Sequence, residues 1–145
     1  VSHLSEAGFW DVMEVSKRPV IASHSNSKTL CDHPRNLTDD QARAIAQKGG
    51  VIGVNFAGYF LGEERRSLAG VVDHIDHFAS LIGPECIALG SDFDGLPDEQ
   101  LPDELKDVSS LGKVAEELAA RGYSESAIQG IMGENLLRAV RAVIG

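Results

Sequence analysis

The chain has 145 residues, a formal net charge of -9 and a pI near 4.9, and 43% of its residues are hydrophobic. These values are typical of one globular segment with a real core, and the acidic balance disfavours nucleic acid and anionic lipid as partners. The longest mainly apolar run, at 51–62, is shorter than the roughly 20 residues that span a bilayer, so we expect no membrane segment.

The chain opens on Val1 without an initiator methionine, and we expect it to be a segment of a longer protein. An N-terminal signal cannot then be assessed, so the location is unknown from the sequence, with the cytoplasm favoured. The two cysteines, Cys31 in a polar loop and Cys86 at the start of a strand, are not expected to pair, because a chain of this size does not need a disulfide.

Predicted helices and strands alternate along the chain. The predicted strands lie at 19–23, 51–56 and 86–90. The predicted helices lie at 5–17, 38–48, 67–82, 109–121, 124–131 and 134–144. This rhythm predicts an α/β fold with a parallel sheet covered by helices. A doubly wound sheet and a (β/α)8 TIM-type barrel both fit it; a barrel takes about 250 residues, so this single segment would be about the C-terminal half of one.

Two histidines stand at predicted strand ends, where both folds place functional side chains. His24 directly follows the strand at 19–23, and His3 sits on the stub of an implied earlier strand. Neighbouring parallel strands lie about 4.8 Å apart, so the two imidazoles can reach one metal ion. The alternative is that each histidine only satisfies a hydrogen bond near the end of the sheet.

Two carboxylates follow the third predicted strand. Strand alternation would direct Asp92 and Asp94 to one face, where a carboxylate could act as acid, base or ligand. Asp92 is the better candidate because it comes sooner after the apolar run. An Asx turn into Gly95 is the alternative.

Further candidates lie in and after the strand-end loops. Arg35 could grip a substrate carboxylate with two parallel hydrogen bonds, although most loop arginines only face water. Tyr59 could form the wall of a pocket with Phe60, with ordinary packing as the alternative. His74 and His77 have the i, i+3 spacing of a metal pair, but they lie beside the apolar stripe of the helix at 67–82, which favours a solvated or capping role.

Seven motifs in chain order resemble those of the membrane (renal-type) dipeptidases. They are Ser-His-Leu-Ser at 2–5, Pro-Val-Ile-Ala-Ser-His-Ser at 19–25, Arg-Asn at 35–36, Gly-Val-Asn-Phe at 53–56, Asp-His-Ile-Asp-His at 73–77, Gly-Ser-Asp-Phe-Asp-Gly at 90–95 and Glu-Asn-Leu-Leu-Arg at 134–138. The resemblance covers essentially the whole chain. It implies a (β/α)8 barrel in which two zinc ions, bridged by a carboxylate, hydrolyse the peptide bond of dipeptides through a metal-activated water.

The resemblance also implies roles for single residues. His3 and His24 would bind one zinc ion, Arg35 would bind the C-terminal carboxylate of the substrate, and Asp92 would manage a proton at the tetrahedral intermediate. The family's His-x-Asp ligand pair and bridging Glu match no segment of this chain, so the site would be completed by a missing N-terminal half.

Two further strand-end residues are predicted to bind the substrate. They are Asn55, near the end of the second predicted strand, and Tyr59 in the loop after it.

Two other hypotheses remain open. The segment could be a non-catalytic half-barrel that binds a partner or itself through open sheet edges. It could also belong to another amidohydrolase-like metalloenzyme. The expected partners are a dipeptide substrate and either a second copy of the chain or the missing N-terminal half.

Overall fold

The computed structural model describes residues 1–145 and contains one parallel sheet of three strands in the order β1-β2-β3. The strands are β1 (Ile21–Ala22), β2 (Val51–Val54) and β3 (Ile87–Leu89). The helices are α1 (Glu6–Val15), α2 (Asp39–Gln47), α3 (Gly58–Leu61), α4 (Leu68–Ile82), α5 (Leu111–Ala120), α6 (Glu125–Gln129) and α7 (Asn135–Ile144). In the register of the sheet, Ile21 pairs with Val51, and Ile52 pairs with Ile87. The predicted α/β architecture with parallel βα units is confirmed.

Serine or threonine side chains cap the N-termini of four helices. In each, the side-chain oxygen accepts a hydrogen bond from a backbone N–H in the first turn: Ser5 from Gly8, Thr38 from Gln41, Ser67 from Gly70, and Ser124 from Ala127. These caps explain why the sequence predicts the first turns of those helices to within a residue. α5 begins two residues later than predicted, because Val108–Ser110 forms a 3-10 turn.

The two faces of the sheet pack against different elements. Ala22, Ile52 and Ile87 belong to the main apolar cluster, together with the buried stripe of α4. Val51 and Ala88 form a smaller cluster with Ala139 of α7.

Hydrogen bonds hold helix α7 against the amino ends of the strands. The guanidinium of Arg138 donates to the carbonyls of Gly49 and Glu85 at 3.3 and 2.8 Å, just before β2 and β3. The side chain of Arg18, before β1, donates to the carbonyl of Ala142 at 3.0 Å. The carboxyl ends of the strands therefore lie at the edge that α7 does not cover.

All three strands end one or two residues earlier than predicted, where the backbone leaves the ladder to form the strand-end loops. Gly53 and Gly90 lie directly against the chain that leaves β1, and a Cβ atom on either would come within 2.3 or 2.1 Å of the carbonyl oxygen of Ser23. Glycine is therefore required at both positions, because the backbone of Ser23 packs against β2 at Gly53 and against Gly90, the residue after β3.

Three further predictions can be compared with the structure. Cys31 and Cys86 are both free thiols, as expected. No helix combines the length and apolar character needed to cross a bilayer. Of the two predicted roles, solvated or capping, the solvated one is wrong for His74, which is fully buried because α4 packs against the strand-end loops on that side.

Candidate metal and substrate site

The two predicted metal ligands meet at the carboxyl end of the sheet. The Nε2 atoms of His3 and His24 lie 2.8 Å apart, and the ring planes are inclined by 55°. Ser23 Oγ lies 2.7 Å from Nδ1 of His24, and the His24 backbone N–H donates to Ser2 Oγ at 2.9 Å. Burial lowers the pKa of the His24 imidazole, against the opposing effect of Asp92, and so favours the neutral ring.

This donor pair fits a zinc ion. Metal ligation needs neutral imidazoles, which burial already favours at His24. Two nitrogens on one tetrahedral zinc lie about 3.3 Å apart, given the usual bond length of about 2.05 Å, so the observed separation needs to open by only about 0.5 Å. No three His, Cys, Asp or Glu side chains lie close enough together in the structure to hold a metal ion by themselves. A catalytic zinc site takes at least three protein ligands, so these two histidines supply only part of one.

Asp92 follows β3 in a strained conformation. Its φ of 62° and ψ of 28° are left-handed, and it is the only non-glycine residue with positive φ. Such backbone costs about 1–3 kcal/mol and is concentrated at functional sites. The prediction that strand alternation directs Asp92 and Asp94 to one face is wrong, because Phe93–Gly95 is a 3-10 turn that replaces extended backbone and leaves Asp94 exposed.

Asn55 lies beneath Asp92 and is fully buried. Its Nδ2 donates to Oδ2 of Asp92 at 3.2 Å, and its Oδ1 accepts the N–H of Ala57 at 2.6 Å. Its backbone N–H and carbonyl are both bonded to the side chain of Asn26, which is also fully buried. The structure therefore gives Asn55 the position of a donor to Asp92, and its contact with a substrate stays a prediction from the sequence.

Arg35 offers an unused cationic donor near the same edge. Its Nε donates to the carbonyl of Ser2 at 2.9 Å, and its guanidinium carbon lies 5.3 Å from the centre of the Phe60 ring. Its Nη2 is buried and has no hydrogen-bond partner. A buried guanidinium nitrogen without a partner is costly, so this atom would gain an anionic oxygen from a ligand once the Arg35 side chain turned to expose it.

Tyr59 lies on an aromatic wall next to Arg35. Its ring centre is 4.3 Å from that of Phe60, which is in turn 4.7 Å from the ring of His33. Tyr59 is 43% exposed, whereas Phe60 is only 5% exposed. Tyr59 is therefore the ring of this pair that a ligand could touch, and Phe60 supports the guanidinium of Arg35.

The predicted residues thus form one cluster. The charges of His3, Arg35 and Asp92 all influence the pKa of His24, so all three lie within electrostatic range of that ring. Sequence reasoning missed Ser2 and Asn26. Ser2 occurs inside the first motif and Asn26 shortly after His24, but nothing in the sequence shows that their side chains bind the backbone of other strand-end segments.

His74 was also missed as a support of the site. Its Nδ1 accepts the N–H of Ser27 at 3.0 Å, so Nε2 carries the proton and donates to the carbonyl of Leu61 at 3.2 Å. Burial lowers the pKa of His74 to about 4, with the Leu61 bond opposing. A neutral imidazole therefore joins the loop after β1 to helix α3, which carries Tyr59.

Comparison with known proteins identifies the family. The family model described as membrane dipeptidase (peptidase family M19) matches residues 1–144. The chain belongs to the membrane dipeptidase family. The predicted relationship is therefore confirmed, and with it the assignment of the parallel βα units to part of a (β/α)8 barrel.

The relatives are longer than the chain itself. A Klebsiella pneumoniae protein, called an uncharacterized protein in the pqqA 5' region, is 43% identical over 148 residues, covering 99% of this chain and 54% of that protein. Mouse dipeptidase 3 is 36% identical over 144 residues, covering 99% of this chain and 29% of that protein. The chain thus spans about half the length, or less, of these relatives.

A solved structure supports the same placement. A Rhodobacter sphaeroides metallopeptidase, liganded with a phosphinate mimic of the dipeptide L-Ala-D-Ala, superposes with a TM-score of 0.89 at 36% identity. The match covers 97% of this chain and 41% of that protein. Family membership and fold are therefore supported independently by sequence and structure.

Proposed function

We propose that this chain forms part of the active site of a zinc-dependent dipeptidase, which hydrolyses the peptide bond of dipeptides. The observation that carries the proposal is the cluster at the carboxyl end of the sheet. There, two imidazole Nε2 atoms face each other 2.8 Å apart within electrostatic range of Asp92 and Arg35. The membrane dipeptidase family and the dipeptide mimic in the Rhodobacter sphaeroides relative support the substrate class.

His3 and His24 would hold one zinc ion of a two-zinc site. Zinc bound there would supply polarisation of the scissile carbonyl and activation of a water molecule near neutral pH. The bridging carboxylate of the family's site matches no residue here, and we assign it to another part of the complete protein. Ser23 would keep His24 in position, since its Oγ contacts the ring nitrogen that does not face His3.

Asp92 would move the proton. A carboxylate at this edge can accept a proton from the attacking water and then donate it to the departing amine nitrogen, so that the peptide bond breaks without leaving an unstable anion. The left-handed backbone at Asp92 is consistent with a side chain held in one direction for this purpose.

Arg35 and Tyr59 would bind the substrate. The unpartnered Nη2 of Arg35 would pair with the free carboxylate of the dipeptide, which selects short substrates that carry a carboxylate beside the scissile bond. Tyr59 would form the exposed wall beside that carboxylate.

The proposal is tested by measuring zinc content and dipeptide hydrolysis in the complete protein. We expect His24→Ala to lose zinc and to lower kcat/KM at least about 100-fold, since a lost metal ligand removes the chemistry that the metal supplies. His77→Ala is the matched control, because His77 bonds Asp39 at 2.8 Å and lies outside the cluster. A wild-type protein without bound zinc, or unchanged hydrolysis in His24→Ala, would refute the proposal. Faster hydrolysis of other amides than of dipeptides would favour a different amidohydrolase-like enzyme.

A further inference from the structure

Two buried asparagines connect the strand-end loops to the carboxylate of Asp92. Asn26 lies in the loop after β1, Asn55 follows β2, and Asp92 follows β3. Both asparagines are fully buried. We propose that Asn55, fixed in place by Asn26, is a positioning residue that sets the direction of the Asp92 carboxylate; this rests on the proposed function of Asp92 in proton transfer.

Asn26 holds the backbone of Asn55 from both sides. Its Oδ1 accepts the N–H of Asn55 at 2.7 Å, and its Nδ2 donates to the carbonyl of Asn55 at 3.0 Å. The side chain of Asn26 therefore replaces the partner strand at a point where the sheet ladder has already ended at Val54. This paired contact fixes the backbone from which the Asn55 side chain projects.

The orientation of the Asn55 amide is determined by its neighbours. The backbone N–H of Ala57 can only donate, so the atom that it contacts at 2.6 Å is the carbonyl oxygen Oδ1. The amide nitrogen Nδ2 is thereby directed at Oδ2 of Asp92, at 3.2 Å. Neither rotation nor reversal of the amide is available without losing the bond to Ala57.

The carboxylate of Asp92 is enclosed on its other side by a glycine. A Cβ atom on Gly95 would lie 2.3 Å from Oδ1 of Asp92. The carboxylate can occupy its position only because Gly95 has no side chain. The backbone N–H of Gly95 also donates to the Asp92 carbonyl at 3.0 Å. The Asn55 donor and the bare Cα of Gly95 together leave the carboxylate one preferred direction.

The test uses Asn55→Ala in the complete protein, with Asn135→Ala as a matched control. Asn135 is also buried, and its amide also donates two hydrogen bonds, to the carbonyls of Pro84 and Ile87, but it lies at the amino end of the sheet. Both variants lose buried amide bonds. Only Asn55→Ala loses the donor to Asp92.

We expect Asn55→Ala to retain wild-type zinc content and KM, while kcat falls about 10-fold to 100-fold, the usual cost of a small misplacement of a catalytic group. In an Asp92→Asn background, the same substitution should lower kcat by less than about twofold, because a residue that acts through Asp92 has nothing left to position. Asn135→Ala should leave kcat near the wild-type value. Additive losses in the double variant would show that Asn55 supports the fold alone, and would overturn the proposal.

A crystal structure of Asn55→Ala gives a readout that needs no activity. We expect the carboxylate of Asp92 to leave its wild-type position, whereas in Asn135→Ala it stays. An unmoved carboxylate would overturn the positioning role. If the wild-type protein hydrolyses no dipeptide, the proposed function fails, and this structural comparison still decides whether Asn55 positions Asp92. If Asn55→Ala does not fold, Asn26→Ala replaces it in this experiment. That variant keeps the Asn55 side chain but loses the bonds that hold its backbone, and we expect the Asp92 carboxylate to be displaced in the same way.

Discussion

His74 is a single buried imidazole on which two strand-end segments depend. Both of its ring nitrogens bond backbone groups, at Ser27 and Leu61, and only the neutral ring can accept the N–H of Ser27. The charged groups that act on it are Arg65, Asp73 and His77. None of them compensates for burial, so the pKa of His74 falls to about 4.

We expect the metal-free protein to lose stability as the pH falls from about 6.5 to about 4. In this range the unfolded chain binds a proton at residue 74 and the folded chain does not, so the free energy of unfolding decreases by up to about 3 kcal/mol. Urea unfolding at several pH values in EDTA measures the loss. His24 contributes in the same direction, so the comparison is made with His74→Gln, which cannot titrate and should show a shallower acid loss. An equal slope in both proteins would contradict the prediction.

Gly95→Ala should displace the Asp92 carboxylate while leaving the fold intact. The atom that the new Cβ would meet belongs to a side chain that can rotate, so the free energy of unfolding should change by no more than about 1 kcal/mol. Loss of the preferred direction should lower kcat about 10-fold or more with zinc retained. Steady-state kinetics and zinc analysis measure both effects, and wild-type kcat would show that the direction of this carboxylate is unimportant.

Helix α2 depends on its first turn, and the loop that carries Arg35 leads directly into it. Thr38 Oγ1 accepts the N–H of Gln41 at 3.2 Å, and the Gln41 side chain accepts the N–H of Thr38 at 2.9 Å. Asp39, the first residue of α2, also accepts bonds from Thr29 and His77. The helix start is thus tied both to the loop after β1 and to α4.

Thr38→Ala should lower the free energy of unfolding by about 1 kcal/mol, because the side-chain acceptor for the Gln41 N–H is lost. Chemical denaturation measures the change. Thr38→Ser keeps the hydroxyl and is the matched control, so it should stay close to the wild type. Equal losses in both variants would show that the methyl group of Thr38, and not the cap, carries the effect.

Helix α5 contains a glycine for which the structure shows no requirement. Gly112 is exposed and does not have a positive φ. A Cβ atom added at this position would have no other atom within 4 Å. Gly112→Ala should therefore raise the free energy of unfolding by about 0.4–1 kcal/mol, since alanine reduces the freedom of the unfolded chain. Gly122, which has a φ of 87°, is the contrasting position where alanine should destabilise. Thermal unfolding compares the two, and a loss at residue 112 would contradict the prediction.

The outer edges of the three-stranded sheet have no strand partner. β1 and β3 each pair with β2 alone, and the outer edge of β1 is met by the amino group of Val1, which donates to the carbonyl of Ile21 at 2.8 Å. Parallel edges without partners favour association with other chains.

The 145-residue chain expressed alone should therefore associate in a concentration-dependent way, whereas the complete protein should not expose these edges. Sedimentation velocity of both proteins across a range of concentrations measures the difference. A clean monomer of the short chain would count against association through the edges, and against the hypothesis of a self-associating half-barrel.

The order and type of the main elements can be predicted from the amino-acid sequence, because caps, glycine stops and apolar periodicity act over a few residues. The sequence also indicated His3, His24, Asp92, Arg35 and Tyr59 as site residues, because strand ends and motifs are visible in one dimension. Three other features become visible only in the folded chain: Asn55 lies beneath the site, Asp92 leaves the extended conformation and His74 is buried. Those features depend on contacts between segments about 30 to 50 residues apart: Asn26 with Asn55, Asn55 with Asp92, and Ser27 with His74. A local sequence pattern carries no information about contacts over such distances along the chain.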